Sequence, residues 1–173
     1  RACRSLLSLD LRDNALTELP DWLTELSALE TLRLDGNALT KLPVFLAALP
    51  NLHYASFAEN QISRLSKNQA LPTNLRTLDL SGNRIGTWLA GILDQVTLQK
   101  LDLSYNPLGT FPDCATATGS LQYVHLIQTR LKSLPKNLAK FQQLRQLFLS
   151  RNQLTDRDLP DKWPPKLEQL DLS

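Results

Sequence analysis

The sequence predicts an α/β solenoid, a horseshoe arc of stacked small units with a parallel sheet on its concave face and short helical or irregular segments on its convex face. Three observations carry this expectation. A leucine recurs every 23 residues from Leu6 to Leu167 without insertion or deletion. The residues after it alternate apolar and polar, and an asparagine followed by one more apolar residue closes the pattern.

The recurring leucines are Leu6, Leu29, Leu52, Leu75, Leu98, Leu121, Leu144 and Leu167. Three residues after each stand Leu9, Leu32, Ala55, Leu78, Leu101, Val124, Leu147 and Leu170, and two further on Leu11, Leu34, Phe57, Leu80, Leu103, Leu126, Leu149 and Leu172. Successive side chains of a strand point to opposite faces, so these apolar residues share one face and the residues between them share the other. No single unit can bury its own leucines. Stacked units share a continuous core, and their strands pair in parallel along one wall.

After each strand the chain must turn, leaving backbone groups that need partners in a dry interior. The column Asn14, Asn37, Asn60, Asn83, Asn106, Thr129 and Asn152 supplies them, since an amide side chain both donates and accepts. Thr129 is the one shorter rung, expected to leave the sixth unit looser or to do only part of that work.

The return segments carry L-P-x-x-L-x-x-L at Leu19 to Leu26, Leu42 to Leu49 and Leu134 to Phe141, where proline can open a short helix. The stretches around Leu65-Ser66, Trp88-Leu89, Phe111 to Gly119 and Leu159 to Pro165 depart from that pattern and are expected to be irregular. A helix or coil is wider than a strand, so stacking bends the sheet into an arc. At ~4.8 Å between strands the concave strip is on the order of 35 Å long.

The full motif, L-x-x-L-x-L-x-x-N-x-L seven times over, resembles the leucine-rich repeat family across essentially the whole chain. The 23-residue period with L-P is similar to repeats of intracellular scaffold and signalling proteins and of several bacterial and protist proteins. The resemblance implies a protein-interaction module that binds a partner protein through its concave face. The alternative is the substrate-recognition domain of a larger enzyme, a ubiquitin-ligase effector, kinase or GTPase, whose catalytic domain lies outside these residues. No phosphate loop or kinase signature occurs within them, so this part is expected not to be an enzyme. Residues 1–173 read as one domain, seven full repeats from Leu6 and a shortened eighth. The absence of methionine and the expected lack of terminal caps suggest an excerpt of a longer chain.

Composition narrows the partners. Nineteen basic against 17 acidic residues is too even a balance for nucleic acid as the main partner. No apolar stretch approaches the ~20 residues of a spanning helix, so membrane insertion is not expected. Neither a cofactor nor a metal site is expected. The two cysteines, Cys3 and Cys114, lack zinc or disulfide spacing, and none of the ten asparagines lies in N-x-[ST]. Both features favour a cytoplasmic protein, with a secreted effector acting in a host cell as the alternative.

The open strand face is mostly small or polar, but Tyr105, Tyr123, His125, Ile127 and Phe148 break that rule together in repeats five to seven. Such anchors are favoured at interfaces. They are the expected centre of the binding site, flanked by Lys100, Asp102, Gln146 and Arg151. Other features have plainer readings. Asp79 and Asp102, on neighbouring strands, read as ordinary strand filling rather than an acid–base pair. His53 and His125 lie three repeats apart and read as solvated surface groups, and Arg130, Lys132, Lys136, Lys140 and Arg145 as a solvated face. Cys114 reads as an inert thiol, and Trp22, Trp88 and Trp163 as core filling.

Overall fold

The computed structural model describes residues 3–64, 69–86, 98–110 and 119–173. Among them eight strands of three residues each form one parallel sheet in sequence order: β1 (Ser8–Asp10), β2 (Thr31–Arg33), β3 (Tyr54–Ser56), β4 (Thr77–Asp79), β5 (Lys100–Asp102), β6 (Tyr123–His125), β7 (Gln146–Phe148) and β8 (Gln169–Asp171). Every pairing aligns residues 23 apart, as Leu9 with Leu32 and Leu101 with Val124. A constant period is what makes this possible, since one insertion would turn a strand's apolar set toward solvent. The outcome is the predicted α/β solenoid arc.

The central strand residues Leu32, Ala55, Leu78, Leu101, Val124 and Leu147 are buried, and they share one hydrophobic core with the recurring leucines and with Leu34, Phe57, Leu80, Leu103, Leu126 and Leu149. At the outermost strands Leu9 packs only partly against this core and Leu170 is exposed. The L-P segments open short 3-10 helices on the other side, Asp21–Glu25 after Pro20 and Val44–Ala48 after Pro43, burying Leu23 and Leu46. A third, Leu138–Lys140, follows Pro135 and buries Leu138.

Two readings need correction. Trp22 does not fill the core: it is half exposed, because Leu23 of the same 3-10 helix and Leu26 just after it occupy the inward positions. Trp163 packs partly against the core. The seventh return segment is not wholly irregular either, since Asp156–Asp158 forms a 3-10 turn. Thr155 caps it, its N–H donating to Asp158 Oδ2 at 2.8 Å and its hydroxyl donating to the same oxygen at 2.6 Å. The readings for Trp88 and Cys114, and for most of the third, fourth and fifth return segments, lie outside the described residues.

The turn after each strand is held by the asparagine column. Asn60 is representative: its Nδ2 donates to Phe57 O of its own repeat at 3.1 Å and to Leu34 O of the preceding repeat at 2.9 Å. Its Oδ1 accepts from the Leu39 N–H at 3.0 Å. Asn37, Asn83 and Asn106 repeat these bonds one unit at a time. The residue before each rung, Asp13, Gly36, Glu59, Gly82, Tyr105, Gln128 and Arg151, takes φ between 53° and 64°. The turn needs this left-handed conformation, yet glycine occupies only two of the seven places.

Thr129 behaves differently. Fully buried, its hydroxyl lies 2.9 Å from Leu126 O in its own repeat and 3.0 Å from Asn152 Oδ1 in the next. Asn152 Oδ1 also accepts from the Thr129 and Leu131 N–H groups, each at 3.0 Å.

Candidate functional site

The sheet register assembles the predicted cluster in two rows. Lys100, Tyr123 and Gln146 stand side by side in one, and Asp102, His125 and Phe148 in the next. Residues 23 apart in sequence thus become neighbours, ~4.8 Å apart along the sheet. Beyond the strands Tyr105 lies in the turn of the fifth repeat, its N–H donating to Ile127 O at 2.7 Å, while Ile127 N–H donates to Ser104 Oγ at 3.2 Å. Tyr105 is 52% exposed, and Lys100 and Arg151 are exposed. Tyr123, His125, Ile127, Gln146, Phe148 and Asp102 are half-buried.

Within this group His125 is not the solvated side chain expected from sequence. Its Nδ1 lies 3.0 Å from Asp102 Oδ2, and its ring meets Phe148 edge to face, centroids 4.8 Å apart at 87°. Asp102 also accepts from the Ser104 N–H at 3.0 Å. Burial pushes the Asp102 carboxyl up, but the hydrogen bonds from His125 and Ser104 together hold it below its ordinary value. An ionised carboxylate only accepts, so Nδ1 carries the proton and a neutral ring leaves Nε2 as an acceptor.

On the next strand Asp79 is opposite Asp102. Burial pushes its carboxyl above the ordinary value, against hydrogen bonds from the Ser81 N–H and hydroxyl, and the charges of Asp102 and Asp35 add to the rise. The two carboxylates have separate partners, so nothing here couples them for proton transfer.

The amino-terminal half of the same wall holds groups beyond the expected site. Arg33 stacks over Tyr54, its guanidinium carbon 5.5 Å from the ring centroid. Arg12 donates to both carboxylate oxygens of Asp10, at 2.8 to 3.0 Å, and holds that carboxyl below its usual range. Tyr54 occupies the same strand position as Tyr123 three repeats earlier, which was the signal available for it. On the flank, Arg145 of the basic stretch pairs with Glu168. Among the described residues no group of three or more His, Cys, Asp or Glu is placed to hold a metal. None of their helices is long and apolar enough to cross a membrane.

Three family models match the chain, each described as a leucine-rich repeat, over residues 1–39, 72–87 and 97–116. The chain is a leucine-rich repeat protein. No curated protein sequence matches it. Among solved structures, a leucine-rich repeat protein of Leptospira interrogans is similar at 30% identity and TM-score 0.80, over 96% of this chain and 43% of that one. Drosophila Toll, in a structure of the Toll–Spatzle complex, is similar at 24% identity and TM-score 0.80, over 99% of this chain and 27% of that one. An internalin of Listeria monocytogenes is similar at 21% identity and TM-score 0.65, over 98% and 62%. This leucine-rich repeat chain therefore spans less than two thirds of each of the three. The last two likenesses concern the fold alone.

Proposed function

We propose that this chain is a protein-interaction module that takes a partner protein on its concave face, centred on Tyr105, Tyr123, His125, Ile127 and Phe148. One observation carries the reading: a tyrosine 52% exposed, beside a row of half-buried aromatic and apolar side chains on a sheet wall that is mostly small or polar. Apolar and aromatic groups in such a patch gain from being covered, and Lys100, Gln146 and Arg151 supply a polar rim. Leucine-rich repeat domains serve as protein-interaction modules, and the similar Toll fold is known in a complex with Spatzle. An enzyme domain elsewhere in a longer protein would use the same wall for substrate recognition. A cytoplasmic setting remains our reading of the sequence, with secretion into a host cell as the alternative.

The test is cross-linking capture with Tyr105→Ser and Tyr123→Ser, singly and together, alongside a thermal-unfolding control. Tyr105 is exposed, so its replacement should leave the thermal midpoint in place while capture falls. Undiminished capture by the folded double variant overturns this placement of the site.

A further inference from the structure

The turns of repeats one to five are tied by a cross-repeat pair of bonds: an N–H of one repeat donates to the asparagine Oδ1 of the next, whose Nδ2 donates back to a carbonyl of the first. The pair recurs from Leu16 and Leu11 with Asn37, at 3.0 Å each, to Ile85 and Leu80 with Asn106, at 2.8 and 2.9 Å. Between repeats five and six neither bond forms among the described residues. The Leu108 N–H, which stands where Ile85 stands one repeat earlier, donates instead to Asn106 O in its own repeat at 2.9 Å. Thr129 lacks the amide that would reach back to Leu103 O, and its hydroxyl turns toward its own repeat and the next.

The backbone of the turn shifts with it. At the three–four and six–seven junctions Arg84 N–H donates to Ile62 O and Gln153 N–H to Leu131 O, each at 2.9 Å, whereas at four–five Pro107 has no N–H to give. At the five–six junction the Leu108 carbonyl is taken by the Thr110 N–H at 2.8 Å, within the same repeat, and among the described residues the turn is crossed by backbone bonds alone, Gly109 N–H to Thr129 O at 3.1 Å and Lys132 N–H to Gly109 O at 3.0 Å. Gly109 and Arg130 both adopt left-handed φ, 71° and 59°, at places where no other described repeat does. Among the described residues the side-chain ties that cross here lie on the concave side: His125 to Asp102 at 3.0 Å, and the Ile127 N–H to Ser104 Oγ at 3.2 Å.

We infer that the junction between repeats five and six is a seam at which the solenoid opens from its turn side, so that repeats one to five and six to eight act as separate units. The Asp102–His125 pair holds the seam on the concave face. Repeat arrays behave as a chain of units coupled through nearest-neighbour interfaces, and the weakest interface is where cooperativity divides. One consequence rests on the binding reading above: Lys100 and Tyr105 stand on one side of the seam and Tyr123 and Phe148 on the other, so a partner covering both locks the angle between the units.

Hydrogen exchange of the free chain, read by mass spectrometry, tests the seam without any partner. Peptides covering 103–110 and 126–132 are expected to exchange about tenfold faster than the equivalent peptides 34–41 and 57–63. Thr129→Asn, which rebuilds the rung, should remove that difference. His125→Ala should widen it, and adding Thr129→Asn to His125→Ala should narrow it again. Equal exchange at all these turns in the wild-type chain overturns the seam, and so does a folded Thr129→Asn protein that keeps the difference. Loss of capture plays no part in this readout, so the seam and the binding site stand or fall separately.

Discussion

His125 donates through Nδ1 to Asp102 Oδ2 at 3.0 Å across the pairing of β5 with β6. The Asp102 carboxyl sits below its ordinary value despite burial, so the sign of its pH effect is set. A group whose folded pKa is lowered adds stability above its unfolded pKa, about 4 for aspartate, and loses it as pH falls through the folded value. Asp102→Asn keeps an acceptor but removes the charge. It should cost about 1 kcal/mol at pH 7, solvent access to the pair holding the figure down. Urea unfolding of both proteins from pH 7 to pH 2.5 should show the difference narrow as pH falls below about 4. A difference unchanged at pH 2.5 would mean that the ionised carboxylate is not its source.

Asp79 carries the opposite sign. Its folded pKa is raised, first by burial and then by the charges of Asp102 and Asp35. Such a group is tolerated best when protonated, and its ionisation lowers stability as pH rises through the folded value. Asp79→Asn leaves an oxygen to accept from Ser81 and removes the like charge opposite Asp102. A gain of about 0.5 kcal/mol is expected at pH 7, shrinking as pH falls toward ~4. The same pair of denaturation series measures it.

Asn83 ties the third repeat to the fourth, donating to Phe57 O at 2.9 Å and Leu80 O at 3.0 Å and accepting from the Ile62 N–H at 2.9 Å. Removing the amide strands buried backbone groups on both sides. Asn83→Ala is expected to cost about 3 kcal/mol, well beyond one ordinary hydrogen bond. Calorimetry would expose a loss near 1 kcal/mol as a sign that water replaces the amide.

Tyr105 holds φ at 60°, a conformation that suits glycine. Tyr105→Gly should leave stability unchanged or raise it by up to ~1 kcal/mol, while capture of the partner falls. Gly36 marks the contrast: at φ 64° an added Cβ would press on Asp13 Oδ1, so Gly36→Ala should destabilise by about 1–2 kcal/mol. Paired thermal scans and capture assays compare the two. A Tyr105→Gly protein that loses both stability and capture would make Tyr105 a structural residue.

The 23-residue period, the asparagine column and the L-P positions were legible in the chain because each states a local rule: alternation makes the strand, the amide satisfies the turn, proline starts the 3-10 helix. A constant period also dictates zero offset between strands, so the rows Lys100–Tyr123–Gln146 and Asp102–His125–Phe148 follow from residue spacing alone. What the sequence did not determine is how side chains choose among neighbours. Asp102 stood only on the flank of the expected site, yet the packing joins it to His125, whose ring also meets Phe148. Trp22 looked like core filling, but Leu23 of its short 3-10 helix and Leu26 just after it occupy the inward positions. Thr129 was legible as a shorter rung, whereas the direction of its bonds, toward Asn152 rather than back to Leu103, depended on three-dimensional distances. Residue identity and spacing determine which groups meet; only tertiary packing decides which of them bond.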